Sequence, residues 1–310
     1  MFDNPIVTVL FQEIKPQLQE TLVPYGGLGK VTTLGKPKPV ADDTTKLLIH
    51  NQQGQPVAVL LCSSPVSPQA IAHSMSQAEQ ARLRLPAKLG EVIPTPLMSG
   101  ECDGLTFAVL PYFKPLSQSN LRLRWQCWHL RPRVLAWLRE VTQVTLHTPS
   151  SSELKTDFIM PLERMLSYAF QPPIREAITT TLERLNSGQW TPRYVLAHND
   201  LWEGNLLLHS GKHHLGFMVI DWGSANVKGQ AIYDLLRIAN SLRLGRKALL
   251  EELQQHCRIL DCPMADTQAH LLTSFGYLGG HLGCFPQERY IILVETFYRL
   301  LHETLREHLR

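Results

Sequence analysis

The chain has no metal knuckle and no disulfide frame. Its six cysteines are scattered, and no two stand in a C-x-x-C pair. They read as reduced thiols, so a reducing, cytoplasmic setting is expected. The N-terminal stretch MFDNPIVTVLFQEIKPQ lacks a basic leader followed by a long apolar run, so no signal peptide is expected. Apolar stretches such as Tyr290–Val294 are far too short to span a bilayer. Charge of one sign is also scarce. A formal net charge of +3 gives no reason to expect general affinity for nucleic acid or acidic membranes. Internal repeats and long low-complexity tracts are missing. What remains is a 310-residue chain, 44% hydrophobic and 18% charged, which suits a folded protein of about two domains.

The first hundred residues are rich in strand and turn signals. Thr44–His50 and Val57–Cys62 flank the turn sequence NQQGQP and read as a hairpin. Ser74–Leu85 is a helix candidate stopped at Pro86, and Phe107–Leu110 is a further short strand. From about residue 117 the pattern turns helical, with candidates at Arg133–His147, Pro161–Phe170, Ile174–Leu185, Ala231–Leu242, Ala248–Leu260 and Pro286–Leu309. The expected class is α+β: a small β-rich lobe over residues 1–110, a connector at 111–116, and a larger, mainly helical lobe over 117–310.

One segment carries chemistry. His198, Asp200 and Asn205 form H-x-D-x-x-x-x-N, and sixteen residues after Asn205 the apolar run Phe217–Ile220 ends in Asp221-Trp222-Gly223. This is the layout of a kinase catalytic loop followed by a metal-binding aspartate. Phosphoryl transfer needs a carboxylate aimed at the acceptor hydroxyl and oxygen ligands that hold magnesium on the β- and γ-phosphates. Asp200 suits the first role, and Asn205 and Asp221 suit the second. The bland alternative is a surface loop whose Asp and Asn cap turns.

These motifs resemble the aminoglycoside phosphotransferase/choline kinase family of the protein-kinase-like fold. His198–Asn205 (HNDLWEGN) is similar to that family's H-G-D-L-x-x-x-N, with wording nearest the fructosamine kinase type. Val219–Trp222 resembles its I-D-W/F element, and Gly229-x-x-x-x-Asp234-Leu235 its G-x-x-x-x-D-L. Leu146-His147 resembles the L-H that closes the helix before the substrate region. The resemblance implies a two-lobed fold, ATP and Mg2+ as cofactors, Asp200 as catalytic base, and Asn205 and Asp221 as metal ligands. It implies a hinge at Leu110–Phe113. There the Pro111 carbonyl would accept from adenine, which proline permits because it lacks only a donor, and the Phe113 N–H would donate.

The small lobe departs from the family. Val57-Ala58-Val59-Leu60 has the shape of V-A-I-K, with Glu79 as a candidate helix partner, yet Leu60 stands in the lysine slot. Lys46, Lys30 and Lys36 are the candidate replacements. Tyr25–Lys30 (YGGLGK) could cover phosphates, but it is not a Walker loop: Pro24 replaces the first Gly, and Val31 the Ser/Thr. Arg122, Arg124, Arg131 and Arg133 interleave with Trp125, Trp128 and His129, a composition able to hold an anionic or sugar substrate. The expectation is that the tryptophans pack inward and the arginines stay wet. His209, His213 and His214 read as a solvated hairpin.

The leading expectation is an ATP- and Mg-dependent phosphotransferase acting on a hydroxyl of a small molecule such as a sugar, amino alcohol, glycated amine or aminoglycoside. No nucleic-acid or membrane partner is expected. His198 would support the loop, and Asp234 would brace it by capping a helix. A non-catalytic regulatory protein is the alternative, suggested by Leu60. Protein phosphorylation fits less well, because no long activation segment or A-P-E follows Asp221.

Overall fold

The computed structural model describes residues 5–35, 44–209, 215–283 and 285–306. In chain order the elements begin with α1 (Pro5–Thr21), β1 (Val31–Thr33), β2 (Thr45–His50), β3 (Pro56–Cys62), α2 (Ala70–Arg84), α3 (Ala87–Gly90), β4 (Met98–Cys102), β5 (Leu105–Pro111) and β6 (Lys114–Pro115). They continue with α4 (Asn120–Thr145), α5 (Ser151–Glu153), α6 (Met160–Met165), α7 (Pro172–Asn186), β7 (Tyr194–Ala197), β8 (Leu206–Leu208), β9 (Phe217–Val219), β10 (Asn226–Gln230), α8 (Tyr233–Ser241), α9 (Arg246–Leu260), α10 (Thr267–Gly280) and α11 (Gln287–Arg306). Two compact units result, and they interleave along the sequence. The first comprises Met1–Gln80, Glu91–Pro115 and Leu207–Gly223; the second comprises Ala81–Gly90, Leu116–Leu206 and Ser224–Arg310. Among the described residues, no helix is long and apolar enough to cross a membrane.

The first unit is built on an antiparallel sheet of order β1-β2-β3-β5-β4. Alternation along its strands sends Leu47, Ile49, Ala58, Leu60, Cys62, Phe107 and Val109 into one core. That core is closed by α1, which the sequence did not reveal as a helix. Val7, Leu10, Phe11, Ile14, Leu18 and Leu22 recur at helical spacing and are buried together with the sheet residues. Pro16 interrupts the helix on its exposed side, where the carbonyl it leaves unbonded can meet water. The glycine-rich turn packs on the β2–β3 hairpin: Gly29 N donates to the His50 carbonyl at 2.8 Å, and His50 N to the Lys30 carbonyl at 2.8 Å. A Cβ on Gly29 would collide with the Asn51 carbonyl oxygen, so close backbone approach explains that glycine.

The register corrects the reading of β3. Leu60 pairs with Leu47 and is fully buried against α1. Lys46 pairs with Leu61, so these two share the opposite face, with Val59 along the same row. A lysine at 60 would point into the apolar core. The position facing Lys46 is therefore Leu61, one residue on from the slot assigned by sequence.

The second unit is mainly helical. α4 begins at Asn120, well before the expected Arg133, and runs through Pro132. At its C-terminal end His147 exchanges backbone hydrogen bonds with Tyr194, 3.1 and 2.9 Å, which ties the helix to β7. β7, buried throughout, pairs antiparallel with β10 across a bulge between Asn226 and Gly229. A side chain at Gly229 would strike Ala197 Cβ, which is the physical reason for the glycine in the G-x-x-x-x-D-L motif.

Leu60→Ala should lower unfolding free energy in urea by about 2–5 kcal/mol, the usual result of emptying a leucine site in a packed core. Lys46→Met, at an exposed position, should stay within about 0.5 kcal/mol of the parent. Equal effects from the two substitutions would contradict the facing derived from the register.

Candidate active site

In the second unit, β7 delivers the chain to His198, Asn199 and Asp200. Asn199 has φ 62°, a left-handed conformation that asparagine tolerates better than most residues. The turn this creates is fastened at three places. Asn199 Nδ2 donates to the Ser224 carbonyl at 2.9 Å. Asp200 N donates to His198 Nδ1 at 3.2 Å. His198 N donates to the Asp234 carboxylate at 2.6 Å. His198 itself is buried and works as a support.

Asp234 braces the loop, but not by capping its own helix. It lies inside α8, whose preceding residue Ile232 has φ 83° and makes no side-chain cap. A β-branched residue in that region is strained. The carboxylate reaches across to the loop instead. Burial pushes the Asp234 carboxyl above its usual range, while His198, its backbone N–H, and Arg237 oppose that shift.

Asp200 and Asn205 are brought together. Asn205 Nδ2 donates to the Asp200 carbonyl at 2.8 Å and to Asp200 Oδ2 at 3.0 Å. With its amide nitrogen engaged on Asp200, Asn205 keeps Oδ1 as a hard-oxygen donor. The other carboxylate oxygen of Asp200 accepts from Arg237 Nη2. This arginine was not foreseen. It stands three residues after Asp234, so one face of α8 serves the loop twice. Arg237 also lies over the Tyr233 ring, 6.0 Å from its centroid, and Nη1 donates to the Tyr233 hydroxyl at 3.3 Å. The side chains of Arg237 and Asp200 are 21% and 32% exposed, so solvent screens the pair and its main effect is to fix the carboxylate's direction.

The remaining sequence candidates lie in the first unit. Asp221 follows the buried strand β9, is exposed, and has φ 67°. The turn after it is anchored by Trp222 Nε1 to the Val219 carbonyl, 2.9 Å, and by His73 of α2 at the Gly223 carbonyl, 3.1 Å. Leu110 pairs with Val59 and Pro111 with Ala58, while Tyr112 N donates to the Val57 carbonyl at 2.9 Å. Among the described residues the Phe113 N–H makes no hydrogen bond, and its ring meets His209 edge-on at 5.3 Å. Lys46 is exposed on β2, and Glu79 is exposed on α2. Lys30 is exposed beside the glycine turn, whereas Lys36, His213 and His214 lie outside the described residues. In the second unit the arginine–tryptophan segment corrects expectation. Trp125 and Trp128 are 62% and 64% exposed, while Arg131 donates to the Leu242 and Arg243 carbonyls at 2.6 and 3.0 Å.

The model of the phosphotransferase enzyme family matches residues 76–262, more than half of the chain. The chain belongs to that family. This phosphotransferase has an α+β, kinase-like fold, and solved structures share it at low identity. Choline kinase LicA from Streptococcus pneumoniae is 12% identical, with a TM-score of 0.54 and coverage of 97% of this chain and 100% of that one. The GDP and kanamycin complex of APH(2")-IIIa is 14% identical, with a TM-score of 0.50 and coverage of 94% and 98%. A fructosamine-3-kinase homologue from Haemophilus somnus is 13% identical, with a TM-score of 0.50 and coverage of 93% and 96%. No curated protein matches the chain. Within the phosphotransferase, the residue that sequence reasoning missed is Arg237; the one available signal was its i+3 spacing from Asp234.

Arg237→Met is expected to lower turnover roughly ten- to hundredfold, the scale of a mispositioned catalytic group, while leaving nucleotide affinity in place. Steady-state kinetics with separate nucleotide titration would show it. Unchanged turnover would remove Arg237 from the site.

Proposed function

We propose that this phosphotransferase moves the γ-phosphate of ATP to a hydroxyl of a small molecule, in a magnesium-dependent reaction. The observation that carries this reading is the fixed carboxylate of Asp200, held by Asn205 on one oxygen and Arg237 on the other. A carboxylate oxygen has a second lone pair, so a hydroxyl can still donate to it. Asp200 then orients the acceptor hydroxyl and takes its proton as the new oxygen–phosphorus bond forms. The bond from the γ-phosphorus to the bridging oxygen breaks, and ADP leaves.

Asn205 Oδ1 and the Asp221 carboxylate are hard-oxygen donors of the kind magnesium prefers, so they fit the metal. Magnesium held there would neutralise charge gathering on the β- and γ-phosphates. For the nucleotide, the Pro111 carbonyl and the Phe113 N–H, which makes no hydrogen bond among the described residues, would meet adenine, with Leu110 packing beside it. Lys46 is the proposed phosphate cation, because it is the lysine directly opposite Leu61 on the face away from α1; Glu79 is its candidate helix partner. Leu60 lends no weight to a non-catalytic reading, since its side chain belongs to the core. The family and the kinases of similar fold support an acceptor among sugars, amino alcohols, glycated amines and aminoglycosides.

Asp200→Asn should retain ATP–magnesium binding and lose about two to four orders of magnitude in turnover. A wild-type rate in this variant would disqualify Asp200 as the base. In thermal-shift titrations, Asp221→Ala should abolish the magnesium-dependent part of the stabilisation by ATP and leave the ligand-free melting temperature unmoved. An equal drop with and without ATP–magnesium would mean that Asp221 is only a strand-end residue. Lys46→Met should weaken ATP binding; if neither it nor Lys30→Met does so, another group neutralises the phosphates.

A further inference from the structure

The first turns of α4 present an exposed apolar surface. Leu121, Trp125 and Trp128 are 79%, 62% and 64% exposed. Together with exposed Pro132 they recur at i, i+4, i+7 and i+11, and at ~100° per residue they fall within about 60° of one another. His129 locks the ridge: its ring centroid is 4.1 Å from that of Trp125 and 4.8 Å from that of Trp128. Exposed arginines stand on both shoulders, Arg124 on one side and Arg122 and Arg133 on the other. No aspartate or glutamate occurs between Asp103 and Glu140. The small net charge of the whole chain therefore conceals a local face that is apolar along its crest and basic along its edges.

We propose that this face of α4 docks on an anionic phospholipid surface. Indole rings settle at the boundary between headgroups and acyl chains, where their apolar bodies and N–H groups are both satisfied. Arginine forks suit phosphate. A helix lying flat on a bilayer needs cations on both shoulders of an apolar ridge, because both shoulders meet the same plane of phosphates. A second copy of the chain is a poor occupant, since a two-fold contact would set arginine against arginine. The proposal does not depend on the catalytic reading, because its test measures binding alone.

Full-length protein would be co-sedimented with mixed phosphatidylglycerol/phosphatidylcholine vesicles and with pure phosphatidylcholine vesicles, at low and high salt. Binding is expected to the anionic vesicles, weakened by salt and by the neutral lipid. Trp125→Ser with Trp128→Ser should weaken it at least roughly tenfold. Arg122→Gln with Arg124→Gln should weaken it about fivefold per arginine. Both variants alter exposed positions and should keep the parental melting temperature, which separates lost binding from lost folding. Failure of the folded parent to bind anionic vesicles overturns the proposal, and so does binding indifferent to both variants. Capture by polyglutamate without vesicle binding would replace the lipid with an acidic protein. Self-association abolished by the tryptophan substitutions, without vesicle binding, would replace it with a second copy.

Discussion

The hydrogen bond from the His198 amide to a buried carboxylate on α8 ties the Asp200 loop to the helix that also reaches Asp200. Its geometry explains much around it. The carboxylate is kept from water, which costs ionisation energy, and charge-assisted bonds to the loop offset part of that cost. Ile232 accepts an unfavourable backbone angle immediately before the helix that carries this carboxylate. Asn199 turns left-handed immediately after His198, and the next residue is Asp200. Three residues after Asp234 the same helix supplies Arg237 to that aspartate. Strain, burial and charge that would each be unfavourable alone are here mutually dependent, and together they fix the direction of the Asp200 carboxylate.

The first unit obeys a simpler rule, the two-residue parity of a strand. β3 gives Ala58, Leu60 and Cys62 to the α1 core and Val59 and Leu61 to the other side, while Val57, where the register shifts, packs against the core. Parity decides which side chain on β3 can face Lys46, and no substitution at an even-numbered position of that strand changes it.

The legible parts of the sequence were those whose chemistry or periodicity is local. The hairpin of β2 and β3 declared itself through short apolar runs around a polar, glycine-containing turn. Asp200 and Asn205 stood out because few chemistries need those residue types five apart before a strand-ended aspartate. The kinase-like, α+β class followed from the same motif and from the shift to helical spacing near residue 117. Strand parity was not legible, because VAVLLC is apolar at every position and offers no alternation to read. α1 was hidden by Pro16 and by the β-branched residues of IVTVLF, which mimic a strand. Arg237 was invisible for a different reason: its role arises only when α8 is laid against the loop. The tryptophans of α4 reversed the usual burial rule, and composition cannot show which stripe of a helix meets a core.

The interleaving of the two units has a consequence for synthesis. Translation proceeds from the N-terminus, and domains generally fold as their last residues emerge. The first unit draws its final strands, β8 and β9, from the segment ending at Gly223, after most of α4 to α7 has already been made. Its five-stranded sheet is available early, whereas the pairing of β6 with β8 links Lys114 to Leu208 across nearly a hundred residues. A ribosome stalled before residue 206 would therefore carry a first unit still without β8 and β9 and a helical segment still without β10 and α8. The carboxylate that anchors the Asp200 loop is translated after the loop itself, so the loop takes its folded shape only late in the life of the nascent chain.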